Sequence, residues 1–218
     1  CGIYRHVYLS KSADVRVAEW GVQAVSEVKK GLGSVTLNTQ IENFSGRSRR
    51  VIVRQKLWNK ARQLVTQTSK VCDIAVSGTT VKQQMRVPKP QLWSPASPNL
   101  YTITTEIIEN GRVLDGDTIT MGMRTVAFDA KQGFFLNGKN MKINGVCLHG
   151  DLGCLGTAVN EDALYRQVSM MKAMGANAIR CSHNPPAPEL LNLCDSLGML
   201  VVDEAFDSWL HGKTPYDY

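Results

Sequence analysis

Side chains that can hydrogen-bond, exchange protons or stack on a ligand follow three apolar runs in the second half of the chain. Histidine titrates near neutral pH, carboxylates accept hydrogen bonds, and tryptophan offers an apolar ring face. The first run is followed by His149 and Asp151, the second by His183 and Asn184, and the third by Asp203, Glu204, Asp207 and Trp209. If the runs are parallel barrel strands, these residues lie at the carboxyl ends, where barrel enzymes assemble their active sites.

The elements that position these residues alternate between strands and helices. Residues 141–148 and 176–181 are predicted to be strands, the first of them buried, and a third strand is predicted over 199–204, apolar until the two acids at its end. One helix follows Asn160, a suitable N-cap, and the next begins at Pro188. Strands joined in this way indicate βαβ units on a parallel sheet, with which both a doubly wound sheet and a (β/α)8 barrel begin. The phosphate loop of dinucleotide folds is missing, and the polar strand ends favour the barrel.

Residues 13–128 show the two-residue alternation of half-buried strands. The alternating positions are Val35, Leu37, Thr39 and Ile41; Val51, Val53, Gln55 and Leu57; and Tyr101, Ile103, Thr105 and Ile107. Asn110-Gly111 is a hairpin signal, because both residue types tolerate positive φ. Several short strands with regular breaks predict an immunoglobulin-like β-sandwich. We expect Trp93, in a loop bounded by prolines, to pack between its strands.

Composition and charge limit the other classes of function. The 43% hydrophobic content suits a chain with a buried core, and no run approaches the roughly 18 apolar residues needed to span a bilayer. The net charge of +6 comes from scattered Lys and Arg, so we do not expect nucleic-acid binding. The six cysteines form no C-x-x-C pair, which favours buried free thiols over a zinc site or disulfides. The cellular compartment stays open.

Five motifs follow one another along the chain. They are Trp93-Ser-Pro-Ala-Ser-Pro-Asn-Leu-Tyr101, Gly122-Met-Arg-Thr-Val126, Phe135-Leu-Asn-Gly-Lys139, Arg180-Cys-Ser-His-Asn-Pro185 and Val202-Asp-Glu-Ala205. In order and spacing they resemble glycoside hydrolase family 2. The last two are most similar to β-galactosidases, with β-glucuronidases and β-mannosidases as related groups.

The resemblance implies a multidomain protein of β plus α/β class. Residues 1–12 correspond to the tail of a sugar-binding jelly-roll domain, because residues 2–9 resemble its closing strand. Residues 13–128 correspond to the immunoglobulin-like β-sandwich. Residues 129–218 correspond to the N-terminal part of a TIM-barrel catalytic domain, truncated after the first three βα units of a (β/α)8 barrel.

The resemblance also points to five candidate substrate-binding residues, four through a direct sugar contact or a shared motif and the fifth, Glu204, with a supporting role as its first interpretation. The histidine of the Arg-x-Ser-His motif contacts sugar hydroxyls in β-galactosidases, which gives that role to His183. Asp151 stands where an acid of β-glucuronidases contacts the substrate, two residues after a shared histidine, His149. Trp209 lies where relatives place aromatic or histidine contacts, and its ring suits a pyranose face. Glu204 matches neither catalytic carboxylate, and we interpret it as a structural or supporting acid, with substrate contact as the alternative.

The resemblance implies hydrolysis of terminal β-linked sugars with retention, by an acid/base glutamate and a nucleophilic glutamate about 5 Å apart. The family places these glutamates after the fourth and seventh barrel strands, whereas the chain stops at Tyr218, just beyond the third. We therefore expect no catalytic residue in this chain and no hydrolysis by the chain alone. No cofactor and no metal site are expected in it, although a metal ion in a full-length parent is compatible with the resemblance.

Two other functions compete with this interpretation. A non-catalytic carbohydrate-binding or interaction module could be built on the sandwich, and glutamates after later barrel strands of the parent would argue against it. A nucleotide-linked α/β protein is disfavoured by the missing phosphate loop. The expected partner is a β-linked oligosaccharide or glycoside, not nucleic acid or a membrane. The open edge of the third barrel strand could also support self-association.

Overall fold

The computed structural model describes residues 2–205, 207, 208, 212, 214 and 215. The strands within them are β1 (Val15–Lys29), β2 (Leu32–Asn43), β3 (Arg49–Trp58), β4 (Leu64–Ile74), β5 (Thr79–Pro88), β6 (Tyr101–Glu109), β7 (Arg112–Met121), β8 (Val126–Asp129), β9 (Gly133–Leu136), β10 (Lys139–Asn140), β11 (Gly145–Leu148), β12 (Ala178–Cys181) and β13 (Leu200–Val202). The helices are α1 (Glu161–Ala173) and α2 (Pro188–Leu197). Within this part of the chain, neither helix has the length and hydropathy to cross a bilayer.

The first seven strands form the predicted β-sandwich. One sheet has the antiparallel order β1-β2-β5 and faces a second sheet of order β4-β3-β6-β7. The residues predicted to alternate inward on β2, β3 and β6 are buried and supply much of the sandwich core. Asn110 and Gly111 form the tight β6–β7 turn, both with positive φ. Period-two patterning therefore predicted both the sheets and the side of each sheet that is buried.

Three of those inward positions carry polar side chains that bond to one another inside the sandwich. The Gln55 side-chain amide on β3 donates to Thr39 Oγ1 of the facing sheet at 2.9 Å and to Thr105 Oγ1 on β6 at 3.2 Å. All three residues are buried. These bonds satisfy the buried amide nitrogen of Gln55 and link the two sheets, whereas Gln55 Oε1 has no hydrogen-bond partner among the described residues.

The second half of the described chain contains two further sheets. Strands β8, β9 and β10 form an antiparallel sheet, and β11, β12 and β13 lie side by side in parallel. Helices α1 and α2 connect the parallel strands, as predicted, and so form the two consecutive βαβ units with which a (β/α)8 barrel begins. The strand predicted over 141–148 is shorter, because only Gly145–Leu148 pairs with β12, and it is half-exposed where we expected burial.

Both helices begin where the sequence indicates. The Asn160 side chain accepts a hydrogen bond from the Ala163 backbone N–H at the start of α1, and Pro188 occupies the first turn of α2. Gly198 ends α2 in the left-handed conformation with φ of 77°.

Trp93 joins the sandwich to the barrel strands, so the prediction that it packs between sandwich strands is wrong. Its side chain is buried in a separate cluster with Phe134 and Leu136 of β9 and with Ala178 and Leu200 of the parallel sheet. The indole Nε1–H donates to the backbone carbonyl of Asp195 in α2 at 2.7 Å. A large ring with one donor at its edge suits a junction between an apolar cluster and a helix carbonyl.

The loop that carries Trp93 also contacts the ends of both helices. The Lys172 ammonium of α1 donates to the Pro95 carbonyl at 3.0 Å and also bonds the Leu197 carbonyl of α2. A Cβ at Gly198 would lie 2.6 Å from the Pro95 carbonyl oxygen. Gly198 therefore serves both the helix cap and the close approach of the sandwich loop.

Candidate functional site

Alternation along the parallel strands puts one set of side chains on the helix side and another on the opposite, inner face of the sheet. Ile179 and Cys181 pack with the helices in one core. Arg180, between them, is exposed on the inner face and lies in register with Cys147 of β11 and Val202 of β13. This placement brings a cation to the middle of the inner face, three residues before His183 in the sequence.

Arg180, His183 and Glu204 form one network at the carboxyl ends of β12 and β13. Arg180 Nε donates to Glu204 Oε1 at 2.5 Å, and His183 Nδ1 lies 2.9 Å from Glu204 Oε2. Partial burial opposes ionisation of Glu204, but hydrogen bonds and charge from Arg180 and His183 outweigh it, so the pKa of this carboxyl is lowered. Glu204 is therefore an ionised hydrogen-bond acceptor at neutral pH.

His149, after β11, lies beside this network. Its imidazole meets that of His183 edge to face, with ring centroids 5.8 Å apart and planes at 78°. The peptide bond between Ser182 and His183 is cis. Two imidazoles and a carboxylate thus line the strand ends, where they can donate and accept hydrogen bonds with a polar, hydroxyl-rich ligand.

Asp151 lies in the adjoining loop and also lines a cleft. Its Oδ1 accepts from the Gly153 backbone N–H at 3.3 Å, a contact within its own turn. The cleft has a volume of about 470 Å³, and His149, Asp151 and Asn184 line it together with apolar side chains of the helix-side core. Arg5, from the N-terminal segment, borders it and donates to the Pro185 carbonyl at 2.7 Å.

The predicted site residues fall into three groups. His149, His183 and Glu204 come together in space, Asp151 shares the cleft with His149, and Trp209 lies outside the described residues. From the sequence, Arg180 was recognised only as part of the Arg-x-Ser-His motif, and its contact with Glu204 was not predicted. The signal was available, since Arg180 and Glu204 both face inward if the neighbouring strands are parallel and alternate.

The prediction that the cysteines are buried free thiols holds for two of the five described cysteines and is wrong for the others. Cys181 and Cys194 are buried, and burial raises their pKa to about 11 and about 12. Cys147 and Cys154 are exposed, and Cys72 is half-buried. The Arg180 guanidinium donates a hydrogen bond to Cys147 Sγ at 3.8 Å and lowers the pKa of this thiol. Cys147 departs from the prediction because it lies on the inner face of β11, opposite the helices.

Within the described ranges, no three His, Cys, Asp or Glu side chains converge as a cation site would require.

Two family patterns match nearly all of the chain. "Glycosyl hydrolases family 2" matches residues 15–124, and "Glycosyl hydrolases family 2, TIM barrel domain" matches residues 128–212. The first covers the sandwich and the second covers the strand ends that carry the candidate site. The boundary between the two matches falls close to β8.

Individual relatives match all or nearly all of the chain but are much longer. β-Galactosidase BoGH2A of Bacteroides ovatus is 45% identical over 100% of this chain, which spans 26% of that protein. The crystal structure of a glycosyl hydrolase family 2 member from Bacteroides cellulosilyticus superposes with a TM-score of 0.94, at 37% identity, over 100% of this chain and 28% of its own. Bacteroides uniformis β-glucuronidase 2, solved covalently bound to cyclophellitol-6-carboxylate aziridine, gives a TM-score of 0.83 at 28% identity, covering 93% of this chain and 25% of its own. The chain thus spans about a quarter of the length of these relatives.

Proposed function

The chain belongs to glycoside hydrolase family 2, and we propose that it is part of a retaining exo-β-glycosidase of the β-galactosidase type. Its expected ligand is a terminal β-linked sugar of an oligosaccharide or glycoside. The observation that carries the proposal is the network of His183, Glu204 and Arg180, flanked by His149, at the carboxyl ends of three parallel strands. That edge is where TIM-barrel enzymes assemble their active sites.

We assign His183 and His149 to the hydroxyls of the terminal sugar. Asp151 contributes an acceptor from the loop after β11, Trp209 a stacking surface, and Glu204 support to His183. Exposed or half-exposed side chains at a strand end favour these roles, because a ligand can reach His149 and Asp151 without displacing core residues.

A neutral sugar suits this network better than an acidic one. The Arg180 guanidinium is paired with Glu204, so its charge is compensated before any ligand arrives. A uronic acid would need an uncompensated cation for its carboxylate. The compensated charge makes Arg180 a poor partner for a uronate, and the 45% identity to a β-galactosidase favours galactose over glucuronic acid.

The domain limits follow the same proposal. We assign residues 1–12 to the tail of a sugar-binding jelly-roll domain, 13–128 to the sandwich and 129–218 to the start of the catalytic barrel. In the first segment the apolar side chains of Ile3, Val7 and Leu9 are exposed, as expected for a strand whose sheet partners belong to another domain.

The catalytic acid/base and nucleophile are assigned to later barrel strands of the parent protein. The purified chain should therefore show no turnover of nitrophenyl β-galactoside. The parent protein should hydrolyse it with retention, which NMR detects as initial release of the β-anomer. Turnover by the 218-residue chain, or inversion by the parent, would refute the proposal.

A substitution in the parent tests the site. His183→Ala should lower kcat/KM by about 10- to 100-fold, the loss expected for one or two hydrogen bonds to the transition state. His6→Ala is the matched control, because His6 approaches Glu189 at 3.7 Å, outside the network. Equal losses in the two variants would contradict a specific role for His183.

Self-association through the barrel edge is a further part of the proposal. Strand β13 pairs only with β12 among the described strands, and Val202 on it is half-exposed. An open edge invites pairing with a second copy. Sedimentation velocity of the chain should show a concentration-dependent dimer, and a monomer at all concentrations would refute this part.

A further inference from the structure

We propose that Glu204 is a positioning residue that fixes the tautomer of His183. In this arrangement Nδ1 carries the proton and bonds Glu204, while Nε2 presents a lone pair to a donor hydroxyl. The ligand assignment rests on the proposed function, but the tautomer itself does not.

The distances decide which group Nδ1 serves. Glu204 Oε2 lies 2.9 Å from Nδ1, whereas the Arg180 Nη2 atom lies 3.5 Å away. A carboxylate can only accept and a guanidinium can only donate, so the two contacts demand opposite states of Nδ1. The 2.9 Å contact has the length of a good hydrogen bond and the 3.5 Å contact does not. Nδ1 therefore donates.

Arg180 orients the Glu204 carboxylate towards His183 and helps to keep it ionised. Its Nε donates to Oε1, which leaves Oε2 directed at the imidazole. The lowered pKa of Glu204 keeps the carboxylate ionised at neutral pH, and hence unable to donate to the ring. The side chains of His183 and Glu204 are 37% and 22% exposed, so the bond lies partly out of water but the ring stays open to a ligand.

Ring geometry links the fixed proton to ligand binding. The two nitrogens of an imidazole point in different directions, and the hydrogen bond made by one sets the state of the other. With Nδ1 committed to Glu204, neutral His183 accepts through Nε2. A sugar hydroxyl can donate to that lone pair, whereas the other tautomer would face it with an N–H.

Histidine tautomers can be read directly in the purified chain. Long-range ¹⁵N–¹H correlation spectra should be recorded at about pH 8.5, above the ordinary titration range of imidazole. His183→Asn identifies the His183 signals by their loss. His6 serves as an internal reference, because its contact is with Glu189. The wild-type spectrum should show His183 mainly protonated on Nδ1.

Removing the carboxylate should reverse that preference. Glu204→Ala should shift the tautomer ratio of His183 by about tenfold towards Nε2–H, and Glu204→Gln by less, because its amide oxygen still accepts. Asp203→Asn is the matched control, since Asp203 is an exposed acid at the same strand end. It should leave the ratio unchanged, and amide spectra of each variant should confirm an intact fold.

Four outcomes would overturn the proposal. They are a wild-type His183 protonated on Nε2, a His183 that keeps both protons, a ratio unchanged by Glu204→Ala, and an equal change in Asp203→Asn. None of them bears on glycoside hydrolysis, because no sugar is present. Conversely, a parent protein without glycosidase activity would refute the proposed function and leave the measured tautomer standing.

Discussion

Replacing Trp93 should uncouple the barrel strands from the sandwich. The indole is 1% exposed, contacts the cluster that includes Ala178 and Leu200, and donates to the Asp195 carbonyl. Truncation of a buried tryptophan to alanine costs about 3–5 kcal/mol, through lost burial and the remaining cavity. Domains are typically stable by about 5–15 kcal/mol, so a loss of this size at one junction should be visible as local opening.

The phenylalanine variant divides that cost into two parts. Trp93→Phe keeps most of the buried ring but leaves the Asp195 carbonyl without its donor, which should cost about 1–3 kcal/mol. Trp93→Ala should lose both the ring and the hydrogen bond. Trp20→Ala is the matched control, because Trp20 is 76% exposed, and it should change stability by less than about 0.5 kcal/mol.

Hydrogen exchange measured by mass spectrometry locates the effect. In Trp93→Ala, peptides from residues 133–202 should lose protection, while peptides from β2, β3 and β6 keep it, since those strands have their own core. Trp93→Phe should be intermediate. Two results for Trp93→Ala would refute the reasoning. The first is wild-type protection of residues 133–202, and the second is a loss of protection in the sandwich strands as large as the loss in residues 133–202.

Three further measurements test other contacts. Iodoacetamide should alkylate Cys147 before Cys181 as the pH is raised, because the pKa of the first is lowered and that of the second is about 11; equal rates would contradict the assignment. Asn43→Ala should lower the free energy of unfolding in urea by about 1–3 kcal/mol, since the buried Asn43 amide donates to three backbone carbonyls, and a neutral result would refute that role. Glu109→Gln should destabilise the chain at pH 7, because Arg49 lowers the pKa of Glu109 in the folded state. This difference should shrink as the pH falls through the ordinary and then the lowered pKa of Glu109, and a constant difference down to about pH 2 would contradict it.

Sequence patterns predicted the sandwich because the polarity of each residue along a strand indicates whether its side chain is buried or exposed. Val35, Leu37 and Ile103 alternate with polar neighbours, and the structure confirms that they face the core. Asn160 and Pro188 likewise act locally, through the backbone groups of the helices that they begin. Period and capping are properties of short segments, so a single sequence contains them.

Contacts between distant segments were harder to predict. Trp93 looked like any core tryptophan, because the sequence does not show that Asp195, about a hundred residues later, offers it a carbonyl. Cys147 was expected to be buried because apolar residues surround it in sequence, yet alternation turns it to the inner face. The parallel register that joins Arg180 to Glu204 depends on which strands become neighbours, which is a property of the fold.

The loop that carries Trp93 and Pro95 sets a rule for building chimeras of this protein with longer relatives. A recombination point placed between the sandwich and the barrel would separate Trp93 from Asp195, and Pro95 from Lys172 and Gly198. In such a chimera the loop of the donor sandwich would have to pack against helix ends whose side chains are complementary to a different loop. Grafts should therefore exchange residues 93–98 together with the ends of α1 and α2, as one inherited block.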